Sequence, residues 1–154
     1  MITNVKEVLS RKLLRSGILL FLLGLLTGFI IPLMKNPRMG VSSHLEGVQN
    51  GMFLVLLGLL WSKLQLSDRS QKWSYSLALF GTFINWFTTF LAGIWGAGAE
   101  MMPFAGMNMT GSDLQEIVIK VGLYSLSIAM LIVSGMTLWG LRAKPLDLPA
   151  AASD

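Results

Sequence analysis

Ser43-His44-Leu45-Glu46-Gly47-Val48-Gln49-Asn50-Gly51-Met52-Phe53-Leu54-Val55-Leu56-Leu57-Gly58-Leu59-Leu60-Trp61 is the stretch that decides the fold. From Gly51 to Trp61 it is apolar and uncharged. A run of this length predicts a bilayer-crossing helix over about Ser43–Leu64. Its first two turns nevertheless carry His44, Glu46, Gln49 and Asn50. Such side chains are costly in lipid and mark a functional site by default. At about 100° per residue, His44, Gly47, Gly51 and Gly58 share one helix face. Glu46, Gln49 and Asn50 form a second face about 120° round.

The rest of the chain supports a membrane reading. Only 13% of the 154 residues are charged and 53% are hydrophobic, with a mean hydropathy of +0.64. A soluble domain carries roughly 25% charged residues. The net charge of +4 is gathered between apolar runs, so it reads as a topology signal and not as a nucleic-acid footprint. No cysteine is present, which excludes disulfides and thiolate ligands.

Three more apolar runs flank the first. One covers about Leu13–Met34, with Gly17, Gly24 and Gly28 near one face, where another helix can approach closely. It lacks an A-x-A cleavage site and is expected to be a retained anchor. Lys35–Gly40 is expected to be a loop, and Ser42 or Ser43 to cap the second helix, with Glu46 at capping-box spacing from Ser43. The third helix is expected over about Trp73–Gly96, with Asn85, Thr88, Thr89 and Ala92 as a small, polar stripe. Gly96–Gly111 is irregular yet apolar and is expected to fold back over one mouth of the bundle. The fourth helix is expected over Asp113–Arg142, capped by Ser112, with Lys120 snorkelling to the interface. Residues 143–154 read as a disordered tail. The fold class is therefore an all-α, integral membrane four-helix bundle spanning residues 1–142. Lys6, Arg11, Lys12, Arg15, Lys63, Arg69, Lys72, Arg142 and Lys144 fall on one side, which places both termini in the cytoplasm.

Motifs exclude several chemistries. There is no CxxC, HExxH, P-loop or GxSxG, and no second histidine for a multi-histidine metal site. A lone histidine suffices for one axial bond to haem iron, and the glycine face beside it offers room for a flat ring. The same residues also read as a structural histidine over a helix-packing groove. Glu100 reads either as a solvated carboxylate or as a catalytic one.

The segments Ser43–Met52, Gly81-Thr82-Phe83-Ile84-Asn85-Trp86, Trp95-Gly96-Ala97-Gly98-Ala99-Glu100-Met101-Met102-Pro103, Leu123–Met130 and Leu138-Trp139-Gly140-Leu141-Arg142 together resemble bacterial hydroxylaminobenzene mutase and its relatives. The architecture also looks related to styrene oxide isomerase, in which a histidine is followed six positions later by Asn-Gly-Met. His44, Asn50, Gly51 and Met52 match that pattern. The resemblance implies a haem b held between protomers of a homotrimer, with His44 on the iron and Asn50 near the substrate. In the isomerase a tyrosine late in helix three orients the epoxide; Ala92–Trp95 has none. Ile84 and Asn85 stand where the isomerase has an acidic residue before the helix-three tryptophan. Both departures lead away from epoxides.

The function expected on this basis is isomerisation of hydroxylaminobenzene to 2-aminophenol in the cytoplasmic membrane of a bacterium, on a small apolar aromatic substrate. Asn50 and Asn85 are expected to hold the NHOH group. Trp86 and Phe90 are expected to cradle the ring, and Glu100 to carry the ring proton. His44, Gly47 and Gly51 are expected to bind a ferric haem acting as Lewis acid. The alternatives are an epoxide isomerase and a non-enzymatic haem-binding membrane subunit.

Overall fold

The computed structural model describes residues 5–142 of the chain. They form α1 (Val5–Ile30), α2 (Pro37–Leu60), α3 (Asp68–Trp95), a single-turn α4 (Pro103–Gly106) and α5 (Asp113–Gly140). Short 3-10 turns at Ile31–Leu33 and Trp61–Lys63 end α1 and α2. The four long helices are each long and apolar enough to cross a membrane. The tail expected at residues 143–154 lies outside the described residues.

Helix starts differ from expectation for a common reason: polar residues near an interface extend helices instead of ending them. α1 begins well before Leu13 because Leu9 and Leu13 continue its buried face. Lys6 and Ser10 also donate to the Leu64 and Gly58 carbonyls at the end of α2, at 2.7 and 2.8 Å. α2 begins at Pro37, not Ser43. Asn36 is its cap, accepting from the Met39 amide at 3.2 Å, and Pro37 supplies a first-turn residue that needs no N–H partner. No capping box forms at Ser43, whose hydroxyl instead donates to the Trp86 carbonyl at 3.1 Å. α3 starts at Asp68 on a Ser67 cap and stops at Gly96, whose φ of +64° ends the helix in a left-handed turn. α5 has the expected Ser112 cap, completed as a capping box by Gln115.

The packing departs from a closed bundle. α1, α2 and α3 touch one another, whereas α5 rests chiefly on α3. The tightest contact is α1 on α2. A Cβ built on Gly47 would lie 2.5 Å from the Gly24 Cα, and one on Gly51 2.7 Å from the Gly17 carbonyl oxygen. These glycines let two backbones meet, the arrangement that membrane helices use where no hydrophobic effect drives association. Leu13, Leu20, Leu54, Leu57, Trp61, Ala78 and Val133 fill the core at one end, and Met39, Ala92, Ala97 and Ile119 at the other. Leu131, Leu138 and Ile128 on α5 and Leu19 and Phe29 on α1 face outward, as apolar side chains bathed in lipid do.

Residues 96–112 fold back over the end of the helices, as their composition implied. Several side chains hold them: Arg38 donates to the Phe104 carbonyl at 3.3 Å, Lys120 pairs with Glu100, and Asn36 and Glu116 each make more than one bond. Fully buried Asn36 donates to the Ala105 and Gly106 carbonyls at 3.0 and 3.1 Å. The Glu116 carboxylate accepts from the Gly98 and Gly111 amides at 3.0 and 2.8 Å.

Candidate functional site

Because α5 leans on α3 and leaves α2 largely uncovered, a cleft of about 360 Å³ opens between α2, α3 and α5. Ser42 and Glu46 form one wall, Asn85 and Thr89 the floor, and Leu123 the other wall. Residues 101–105 form the roof. Glu46 is the ionisable side chain among these lining residues.

Glu46 organises the polar end of the cleft. Its Oε2 accepts from the Asn85 amide at 2.5 Å, across the helix interface, and from the Asn50 amide at 3.2 Å, one turn along α2. A carboxylate accepts, so both amides turn their NH2 groups toward it and their Oδ1 atoms away. The hydroxyls beside it are committed to their own helices: Ser42 donates to the Arg38 carbonyl and Thr89 to the Asn85 and Trp86 carbonyls. Asn50 and Asn85 are thus brought together by Glu46, which the sequence places on the second α2 face and among the costly polar side chains of the first turns, without a catalytic role. The available signal was the four-residue spacing of Glu46 and Asn50, which puts both on one side of a membrane helix.

Other expected site residues lie elsewhere. Glu100 does not join the cluster. It pairs with Lys120 at 2.6 Å with 63% of its side chain exposed, and Lys120 takes this partner instead of simply snorkelling outward. Trp86 and Phe90 stack at 5.5 Å, but they line a separate groove against Leu23, Thr27 and Ile30 of α1. The Trp86 indole N–H donates to Thr27 Oγ1 at 3.0 Å, which turns the ring toward α1 and away from Asn85. Gly47 is covered by the α1 backbone and the Trp86 ring, whereas Gly51, also packed on α1, lines a separate apolar groove with Ile18, Phe21, Met52 and Val55.

His44 also faces α1. Its ring packs over Gly28, where a Cβ would lie 3.2 Å from Nδ1, and Nδ1 is 2.8 Å from the Gly24 carbonyl oxygen. A carbonyl can only accept, so Nδ1 carries a proton and donates it to Gly24. No described residue donates to Nε2. A histidine with one nitrogen fixed by a backbone carbonyl and the other free of protein partners is the donor arrangement of metal-ligating histidines, so His44 fits a haem-iron ligand. No group of three or more His, Asp or Glu side chains among the described residues is placed to hold a bare metal ion.

Residues 9–142 match the family model described as styrene oxide isomerase. The chain is 54% identical over 147 residues to hydroxylaminobenzene mutase HabB of Ectopseudomonas oleovorans, covering 93% of this chain and 90% of that protein. It is 47% identical over 118 residues to hydroxylaminobenzene mutase HabA of the same organism, covering 77% of this chain and 87% of that protein. No solved structure matches. The chain belongs to the styrene oxide isomerase family, and the resemblance drawn from its sequence segments is borne out.

Proposed function

We propose that this isomerase is embedded in the cytoplasmic membrane of a bacterium and converts hydroxylaminobenzene-type arylhydroxylamines to 2-aminophenols by intramolecular hydroxyl transfer. The observation that carries the reading is the Glu46–Asn85 pair lining a largely apolar cleft, with Asn50 bonded to Glu46 beside it, in a chain whose named relatives are mutases. The reaction breaks the N–O bond and forms a C–O bond at the ortho carbon. The ortho carbon loses a proton and the nitrogen gains one, so no external oxidant or reductant is consumed. Asn50 and Asn85, oriented by Glu46, hold the polar NHOH group. Met101, Phe104 and Leu123 flank the ring in their place on the cleft wall and roof. The roof, held by Asn36, limits water at the reacting end.

Haem b is the proposed cofactor, and His44 would hold its iron. When bound, its ferric iron supplies a Lewis acid. His44 and Glu46 leave α2 about 200° apart, so a centre that uses both is completed by a second copy of the chain. This supports an oligomer with the cofactor between protomers, for which the proposed assembly is a homotrimer. The basic residues Lys63, Arg69 and Lys72, at the same end as Lys6 and Arg11, support cytoplasmic termini.

The test is incubation of the detergent-purified protein with phenylhydroxylamine and, separately, with styrene oxide, followed by product chromatography. Formation of 2-aminophenol is expected. Turnover of the epoxide alone would replace this reading with the second one, epoxide isomerisation, which the description of the matching family favours.

A further inference from the structure

We infer that Glu46 is the residue that selects an N-hydroxy substrate over an epoxide, by making the cleft a hydrogen-bond acceptor. The inference rests on the mutase reading above and deepens it. The Oε2 atom of Glu46 is engaged by both asparagine amides. That leaves Glu46 Oε1, Asn50 Oδ1 and Asn85 Oδ1 without a donor among the described residues. The two hydroxyls that line the cleft donate to backbone carbonyls. Of these groups Glu46 and Asn85 line the cleft, so two free acceptor oxygens stand there against one spare amide hydrogen of Asn85, and the balance favours a ligand that donates.

An arylhydroxylamine brings two donors, its N–H and its O–H, on adjacent atoms. An epoxide oxygen brings none and would face a carboxyl oxygen that also accepts. A site built to receive a substrate O–H or N–H rejects an analogue lacking it strongly, because the buried acceptors are left unpaired. Glu46 acts in two ways: Oε1 receives a substrate donor, and Oε2, braced by Asn50, fixes the Asn85 amide so that its carbonyl oxygen is available to the same group. Glutamine has the same shape but presents an amide N–H on one side, which reverses the preference at one position.

The experiment compares phenylhydroxylamine, O-methyl-phenylhydroxylamine and styrene oxide as ligands of wild-type protein and of the Glu46→Gln variant. It reads turnover of the first, and binding of the other two by competition. In wild type the O-methyl ether, lacking the O–H, is expected to compete at least tenfold more weakly than the parent binds. Glu46→Gln is expected to raise KM for phenylhydroxylamine at least tenfold while changing affinity for the ether and the epoxide less than threefold, or improving it. Equal losses on all three ligands would mean that Glu46 only supports the fold, and would overturn the inference. So would a variant with wild-type KM. Glu46→Asp, which keeps the acceptor on a shorter stem, is expected to retain the wild-type order of ligands even where affinity falls; a reversed order overturns the inference as well. Wild-type protein inert toward phenylhydroxylamine would overturn the mutase reading and this role together, whereas turnover with unselective binding overturns the role alone.

Discussion

The Asn85 side chain reaches across from α3 to donate to the Glu46 carboxylate on α2, and so joins residues 39 positions apart at the floor of the cleft. In a bilayer no water competes for either partner, so the bond ties the two helices together and sets the direction of the amide oxygen at once.

Asn85→Ala removes that tie and leaves Glu46 Oε2 with the longer Asn50 contact at 3.2 Å. Interhelical hydrogen bonds of this kind contribute about 1–2 kcal/mol. Reversible unfolding in detergent is expected to register a loss of that size, with a larger proportional fall in arylhydroxylamine turnover than in stability.

Gly47→Ala puts a methyl group where the Gly24 backbone and the Trp86 ring already are, at 2.5 and 2.9 Å. Neither side of that contact is a flexible chain end, so α1 and α2 must separate. A cost of about 1–3 kcal/mol or more is expected. Gly135→Ala is the control. It has open space around it, and the same change there is expected to be neutral or to stabilise by up to about 1 kcal/mol.

Asn36→Ala removes the cap of α2 and both bonds to the roof in one step. About 1–3 kcal/mol of local stability is expected to go. Hydrogen exchange should rise at residues 101–106, and KM should rise with it because the roof no longer sits against the cleft.

Trp86→Phe deletes the indole donor to Thr27 and keeps the ring. A loss of about 1 kcal/mol is expected. Turnover of arylhydroxylamine should stay within a few-fold of wild type, because Trp86 lines the α1 groove and not the cleft. A hundredfold fall in kcat would restore the residue to the ring-binding role that sequence alone assigned to it.

His44→Ala is expected to abolish the absorption band of bound haem while far-ultraviolet circular dichroism stays unchanged, since the Gly24 carbonyl lies within an intact helix. An undiminished band in the variant would remove His44 as ligand. A wild-type protein purified from haem-sufficient cells without any such band would remove the cofactor from the proposal.

Membrane helices were legible in the sequence because length and hydropathy fix them almost without reference to packing. So were the glycine contacts of α1 with α2, the Ser112 cap and the folded-back segment. The start of α2 was not: Asn36-Pro37 reads equally as a turn or as a cap followed by a first-turn proline, and only the partners of Asn36 decide. The site was half legible. Asn50 and Asn85 stand out as amides in apolar helices, but which carboxylate joins them depends on how α2 and α3 rotate against each other. Glu100, prominent in an apolar segment, turned out to have Lys120 one helix away. The place of Trp86 was not legible, because residues 85 and 86 point about 100° apart on a helix and only the packing of α1 shows that the indole lines a groove separate from Asn85.

The long helices contact one another mainly in chain order, α1 with α2, α2 with α3, and α3 with α5. During synthesis each span therefore meets its principal partner already in the bilayer, and the first pair to be completed is also the most tightly interlocked. The clasp between Gln65 and the end of α5, through the Gly140 and Arg142 carbonyls, can close only when the last span has been made. Insertion by the ribosome thus runs in the direction in which the contacts accumulate, and a truncation after α3 should leave an inserted three-span product with its cleft floor exposed.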